Sequence, residues 1–382
     1  MINRERLAET FKSLAETDSI SKEEGVFGGK IERILAAMGA ETFVDNAGEL
    51  IGGNTGNLIA RFKGNTPAPT LLLNAHMDTV EPGRGVAAML ENGTFTSDGT
   101  TILGADDKSA IAILLETLNV LHENDLPYGP LEIVLTVCEE IGLLGAKHLD
   151  LNLVTATYGF ALDATDTEGI VTRAPSANHL EFIIHGKDAH AGAAPEKGIN
   201  AIFLASKAIA RLKLGRIDQE TTCNIGIIEG GLATNIVPNL VTVKGEVRSH
   251  DEEKLHKITN EIVSSFKEVV ENFEEARPEE GLPRIEVNIK KDFSRTYIPD
   301  DHPVVTLAFK AAENLGRKLA TKTSGGGADA NIFFEKGIFT GVLGTGMRDM
   351  HTVRESVKLD DMVRTAELLL EIIRLHSQTD AG

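Results

Sequence analysis

Up to about Arg173, short continuous apolar runs alternate with amphipathic ones. LLLNAH (71–76), LEIVLTVCEE (131–140) and TYGFALD (157–163) read as buried β-strands, because unbroken apolar runs of this length mark strands covered on both faces. ERILAAMGA (32–40) and DDKSAIAILLETLNVLHEN (106–124) carry helical spacing. This alternation predicts an α/β fold with a sheet flanked by helices. From about Ser176 the order changes to strand (179–187), helix (200–212), two strands (223–231 and 240–249), a long helix (252–275) and a final strand (284–291). That βαββαβ order predicts an inserted α+β domain, a four-stranded sheet covered by two helices. After Phe293 the helix-rich pattern resumes, so the first domain is discontinuous. The expected boundaries are 1–175, 176–292 and 293–382, with Pro175 and Pro299 near the borders.

At 382 residues the chain exceeds the length at which one core stops growing, which agrees with two domains. A net charge of −19 argues against nucleic acid, whose phosphates need clustered Lys and Arg. The charged segment 1–25 reads as an amphipathic helix without the apolar core of a signal peptide, and no apolar run is long enough for a membrane span. The two cysteines, Cys138 and Cys223, have no CxxC partner and read as small buried hydrophobes. Together these features predict a cytoplasmic protein without a membrane partner.

The polar residues at the strand ends carry the chemistry. His76 and Asp78 in NAHMDT, Asp106 in LGADDKSA, Glu139 and Glu140 in VCEEIG, Asp163 in ALDATD and His351 in RDMHTV form an ordered set. Mixed imidazole and carboxylate ligands suit zinc, manganese or cobalt. Open α/β sheets place their binding crevice at the carboxyl ends of strands, where these residues fall. Five of them could hold two divalent cations, with a sixth as a base. Glu139 and Glu140 point in different directions from one strand end, so one can bind metal while the other faces a bridging water. Asp78 lies on the same side as His76 and could orient its ring. Singly, His76 or Asp163 would be an ordinary satisfied polar group, and the acidic pair a helix start. Their joint occurrence points to hydrolysis.

In this order and spacing, HMDT, GADDK, EE, D and a late H resemble the dinuclear zinc aminopeptidase and deacylase family. That family contains peptidase T, carboxypeptidase G, acetylornithine deacetylase and succinyl-diaminopimelate desuccinylase. The resemblance spans essentially the whole chain and is strongest to peptidase T, through GADDKSA, ALDATDTEG, GKDAHAGAAPEKGINA and GGGADANIF. It implies that His76 and Asp163 bind one metal, that Glu140 and His351 bind the other, and that Asp106 bridges them. Glu139 is then the general base for attack by the metal-bridging water, and Asp78 raises the basicity of His76. The insertion becomes a lid and dimerisation domain. Within it, His190 matches the histidine that stabilises the oxyanion, sometimes from the partner subunit, and Asn235 and Arg248 match positions holding the substrate backbone and carboxylate.

An Arg fork suits a carboxylate bidentately. The glycines Gly325, Gly326 and Gly327 could place backbone amides near a bound carboxylate, just before a helix. No Lys-Ser/Thr ending or dinucleotide spacing accompanies them, so nucleotide binding is disfavoured. The chain is shorter than peptidase T proper, and His351 sits in GMRDMHTVRE, departures that bear on substrate rather than on metal chemistry. The expected activity is tripeptide aminopeptidase, with N-acyl amino acid deacylase or carboxypeptidase as alternatives. A binding protein that had lost the chemistry would have a broken metal or base position, and none of the six is altered.

Overall fold

The computed structural model of the protein describes residues 1–274 and 280–379. The chain forms two compact units: Met1–Arg173 with Tyr297–Ser324 and Ala328–Gly382, and Ala174–Thr296 with Gly325–Gly327.

The first unit is built on a large mixed sheet whose centre is parallel. Strand Leu71–His76 runs parallel to Leu131–Thr136 on one side and to Tyr158–Ala164 on the other, and Phe339–Gly344 runs parallel to Tyr158–Ala164. Leu58–Phe62 and Glu41–Val44 extend one edge antiparallel, and Gly169–Ala174 lies antiparallel to Phe339–Gly344. Side chains alternate between the two faces of such strands. Leu71, Leu73, Phe160, Leu162 and Leu343 therefore join the main core with helices Ala105–Glu123, Pro303–Asn314 and Leu359–His376. Ala161 and Val342 face the other way and pack with Ala330 of helix Asp329–Glu335. Helices on both faces explain why these strands are continuously apolar rather than alternating.

The charged N-terminal segment is not one helix. A first helix covers Arg4–Ala15 and a second starts at Gly25. Between them Ser19 Oγ donates to Met77 O, Thr79 N–H to Ser19 O, and Ser21 N–H to Thr79 O. Serine and threonine side chains compete for backbone groups and break helices in this way, so residues 19–21 lie along 77–79 instead.

The second unit is an antiparallel sheet ordered Gly215–Arg216, Thr221–Gly230, Leu240–Ser249, Ser176–His185 and Arg284–Phe293. The two-residue strand Gly215–Arg216 is an addition to the four read from sequence. Leu180, Phe182, Ile184, Val241 and Val243 point from the sheet onto helices Ala201–Ala210 and Glu252–Glu271. Phe182 and Phe266 stack at 4.0 Å between ring centroids. Asn200 and Asp251 cap the two helices through Phe203 N–H and Lys254 N–H. The long helix ends at Glu271 with Asn272 as its cap, and the expected terminus at Glu275 lies outside the described residues.

Close strand packing creates a specific vulnerability at Gly159, where an added Cβ would lie 2.0 Å from Leu72 O. Gly159→Ala is expected to lower stability by about 3 kcal/mol, as overpacked cores do. Urea unfolding would register this as a lower midpoint, and an unchanged midpoint would contradict the packing described.

Candidate metal centre

The parallel topology aligns the carboxyl ends of four strands, and each end delivers part of one cluster. His76 closes strand Leu71–His76, and Asp163 is the penultimate residue of Tyr158–Ala164. Glu139 and Glu140 follow Leu131–Thr136 after a turn in which Cys138 takes φ +52°. The loop leaving Phe339–Gly344 carries His351, itself at φ +60°. Asp106 enters from the start of helix Ala105–Glu123, where Asp106 and Asp107 are non-helical and joined by a cis peptide.

Asp106 stands between the two histidines. Its Oδ1 is 3.0 Å from His76 Nε2 and its Oδ2 is 3.4 Å from His351 Nε2. His351 Nε2 also lies 2.9 Å from Glu140 Oε2. One carboxylate thus addresses a different imidazole with each oxygen, the arrangement required of a group shared by two cations. Ligand atoms of His76, Asp106 and Glu140 lie within 4.8 Å of one another, as do those of Asp106, Asp107 and Asp163. The donor set is imidazole and carboxylate with no thiolate, which fits divalent cations of the zinc, cobalt or manganese type.

Asp78 organises one side. Its Oδ1 accepts the N–H of Glu139 at 2.9 Å, and its Oδ2 accepts Ser21 Oγ at 2.6 Å and the N–H of Glu140 at 3.2 Å. His76 Nδ1 is 3.0 Å from Asp78 O and 3.3 Å from Asp78 Oδ1. A proton on Nδ1 satisfies those acceptors, and Nε2 is the nitrogen turned to Asp106: it donates to that carboxylate while protonated and could serve a cation once deprotonated.

The electrostatics are those of crowded, dehydrated acids. Burial pushes Glu139 and Asp163 well above the usual carboxylate range, and neighbouring acidic groups add to the shift. Burial also raises Glu140, partly offset by His351. Asp106 is the exception: burial disfavours its charge, but hydrogen bonds from His351 and His76 outweigh that and hold it low. Asp107 is fully buried and strongly raised by burial; its Oδ2 accepts the N–H of His76 at 3.2 Å, while Oδ1 has no hydrogen-bond partner among the described residues. An anionic cluster with a buried oxygen left open fits a cation-binding role.

Three residues at the centre escaped the sequence reading. Asp107 was visible only as the second Asp of GADDK. Asp329 reaches Thr136 Oγ1 from the helix on the opposite sheet face. Glu355 accepts backbone N–H groups from Leu103, Gly104 and Asp106. Nothing in one sequence marks Asp329 or Glu355, since each reads as an ordinary charge beside a helix or turn.

His190, Asn235, Arg248 and Gly325–Gly327 belong to the second unit. His190 is exposed; its Nδ1 accepts the N–H groups of Gly192 and Ala193, both at 3.1 Å, which puts the proton of a neutral ring on Nε2. Asn235 O accepts the N–H of Ala191. Arg248 is held by Glu246, Nε to Oε1 at 3.1 Å and an NH2 group to Oε2 at 3.0 Å. At Gly327 an added Cβ would lie 2.4 Å from the Phe293 ring, so glycine is required there.

The shifted acids predict a pH dependence for the metal-free protein. Burial raises Asp329 and Glu355 to about 6 from ordinary values of 3.8 and 4.5. Between those limits the folded chain holds protons that the unfolded chain has released, so stability falls as pH rises from about 4 through about 6. His351, raised to about 10 by Asp106 and Glu140, acts in a separate window. Its contribution is complete below about 6.5 and disappears as pH passes about 10. Urea midpoints in chelator are expected to drop between about pH 4 and 6, and an added divalent cation should reduce the drop.

Residues 72–375 match the peptidase family M20/M25/M40. The uncharacterized protein YqjE of Bacillus subtilis (strain 168) is 42% identical over 374 residues, 98% of this chain and 99% of that one. Among solved structures, the aminopeptidase PepT of Bacillus cereus ATCC 10987 superposes with a TM-score of 0.88 at 39% identity, covering 99% of this chain and 100% of the other. A tripeptidase from Staphylococcus aureus subsp. aureus Mu50 gives a TM-score of 0.92 at 37% identity, with 99% and 100% coverage. With the fold shared end to end with solved peptidases and the match spanning most of its length, the chain belongs to peptidase family M20/M25/M40.

Proposed function

We propose that this chain is a cytoplasmic two-metal aminopeptidase of short peptides, with tripeptides as its substrates. The observation that carries the two-metal reading is Asp106, whose two oxygens separately face His76 and His351. The tripeptide reading is supported by the similarity to the aminopeptidase PepT and to the tripeptidase, each over nearly the whole chain. His76 and Asp163 would hold one cation, Glu140 and His351 the other, and Asp106 both. Zinc suits these ligands, and cobalt and manganese are compatible with them. Bound cations would polarise the scissile carbonyl and acidify a water molecule.

Glu139 supplies the base. The Asp78 hydrogen bond to its backbone N–H fixes its position, and burial, with the acids around it, raises its proton affinity. A carboxylate of raised pKa takes a proton from the attacking water more readily and then returns it to the leaving amine. In the second unit, His190 carries an exposed Nε2–H suited to the developing oxyanion. Arg248, held by Glu246, and Asn235 would receive the substrate's carboxylate and backbone, and the segment Gly325, Gly326 and Gly327 would be a further anion contact.

Glu139→Gln is expected to lower kcat by about 10²–10⁴-fold with little change in KM, since it removes proton transfer and leaves the ligands in place. A mass-spectrometric panel of tripeptides, dipeptides and N-acyl amino acids tests the substrate. Release of the N-terminal residue from tripeptides alone supports the reading, and cleavage of acyl amides or of C-terminal residues replaces it with deacylase or carboxypeptidase.

The second unit also supports self-association. Strand Thr221–Gly230 pairs with Gly215–Arg216 only through Cys223 and Thr222, leaving its later residues as an edge. Phe203, Ile227, Ile228 and Leu232 are exposed on this unit, Leu232 by 85%. An open apolar edge of this kind pairs readily with a second copy. Analytical ultracentrifugation is expected to show a homodimer that Ile227→Lys converts to monomer, and a monomeric native chain would count against it.

A further inference from the structure

Glu355 lies four residues beyond His351 and is only 1% exposed. Both carboxylate oxygens are used on backbone. Oε2 accepts the N–H groups of Leu103 at 2.8 Å and Gly104 at 2.7 Å, and Oε1 accepts that of Asp106 at 2.9 Å. These donors surround the start of helix Ala105–Glu123, where backbone amides lack intrahelical partners and a negative charge is favoured. The segment is irregular, with Gly104 at φ +75° and Asp106 and Asp107 outside helical geometry, so its own hydrogen-bond pattern does not hold it in place.

The loop containing Glu355 is closed independently. Arg348 and Ser356 exchange backbone hydrogen bonds at 2.9 and 3.0 Å, and Glu355 N–H donates to Thr352 O at 3.1 Å. His351 sits within this closed loop. Glu355 therefore connects two segments more than 240 residues apart in sequence, |i−j| being 249 for its bond to Asp106. Each of those segments carries one of the two groups, Asp106 and His351, that meet at 3.4 Å.

We infer that Glu355 is a positioning residue of the metal centre, a buried carboxylate tie that sets Asp106 and His351 at the separation shared coordination requires. The inference rests on the two-metal reading above. It makes Glu355 specific to metal binding, beyond the stability any satisfied buried carboxylate contributes. The same unit contains a control. Glu132, 2% exposed, accepts the N–H groups of Thr155 and Ala156 at 2.9 Å each and the Thr155 hydroxyl at 2.8 Å, with Arg61 Nε 3.7 Å away, at the start of strand Leu131–Thr136 and away from its metal-binding end.

The test measures zinc affinity of the full chain by competition with a chromogenic chelator, for the native protein, Glu355→Gln and Glu132→Gln. In Glu355→Gln an amide NH2 replaces one acceptor, so one bound backbone N–H loses its partner. Zinc affinity is expected to fall about 10–100-fold, the range for lost outer-shell support, while Glu132→Gln lowers the unfolding midpoint and leaves zinc affinity unchanged. Native affinity in Glu355→Gln, or an equal loss in both variants, overturns the inference. If Glu355→Gln does not fold, Glu355→Asp keeps both acceptors at shorter reach. Weakened zinc binding in that folded variant supports the tie, and native binding overturns it. A native chain that binds no zinc, cobalt or manganese would instead remove the metal-centre reading, and this inference with it.

Discussion

The first unit is governed by the cost of gathering acidic side chains at the dry end of a parallel sheet. Asp78, Asp106, Asp107 and Asp329 are buried, and Glu139, Glu140 and Asp163 lie beside them with raised proton affinity. Ionised carboxylates removed from water are strongly disfavoured unless paired or hydrogen-bonded. The protein offsets part of that cost with two imidazoles and a set of backbone amides. What remains is negative potential concentrated where divalent cations would be most strongly held.

The amide contacts follow a common plan. Asp78 holds the turn at Glu139 and Glu140, Glu24 takes the N–H of Cys138 at 3.0 Å, and Asp107 takes that of His76. Each of these turns is thereby buckled by a carboxylate from elsewhere in the chain. Loops are usually the mobile part of a site, and charge-assisted bonds to their backbone are the means by which these irregular turns keep a fixed geometry. The positive φ values of Cys138 and His351 belong to this economy, since conformations that side chains seldom adopt persist only where surrounding contacts impose them.

Much of this was legible in the chain itself. Continuous apolar strands followed by His76, Glu139–Glu140 and Asp163 announce a parallel sheet and its polar end, because both follow from burial on two faces. The order βαββαβ announces the second sheet and its two helices. The helix break after Ala15 was not legible, because Ser19 and Ser21 disclose their preference for the 77–79 backbone only when that strand end is beside them. Asp329 and Glu355 were hidden for a similar reason. Their significance lies in partners far away in sequence, Thr136 for one and Leu103 to Asp106 for the other, and a single sequence carries no trace of such pairing.

The parallel arrangement also fixes when this centre can exist. Its groups are drawn from His76 to His351, and the strand that carries the last of them, Phe339–Gly344, runs beside Tyr158–Ala164 after the whole second unit has intervened. Pairings over such sequence separations form late, after the entropy of closing the long intervening loop has been met. Until residue 351 has been added, the acidic residues of the first 173 positions lack the histidine that faces Asp106 and Glu140. The site with both imidazoles therefore requires the chain as far as His351, so any segment that stops short of it carries the acidic groups without their second histidine.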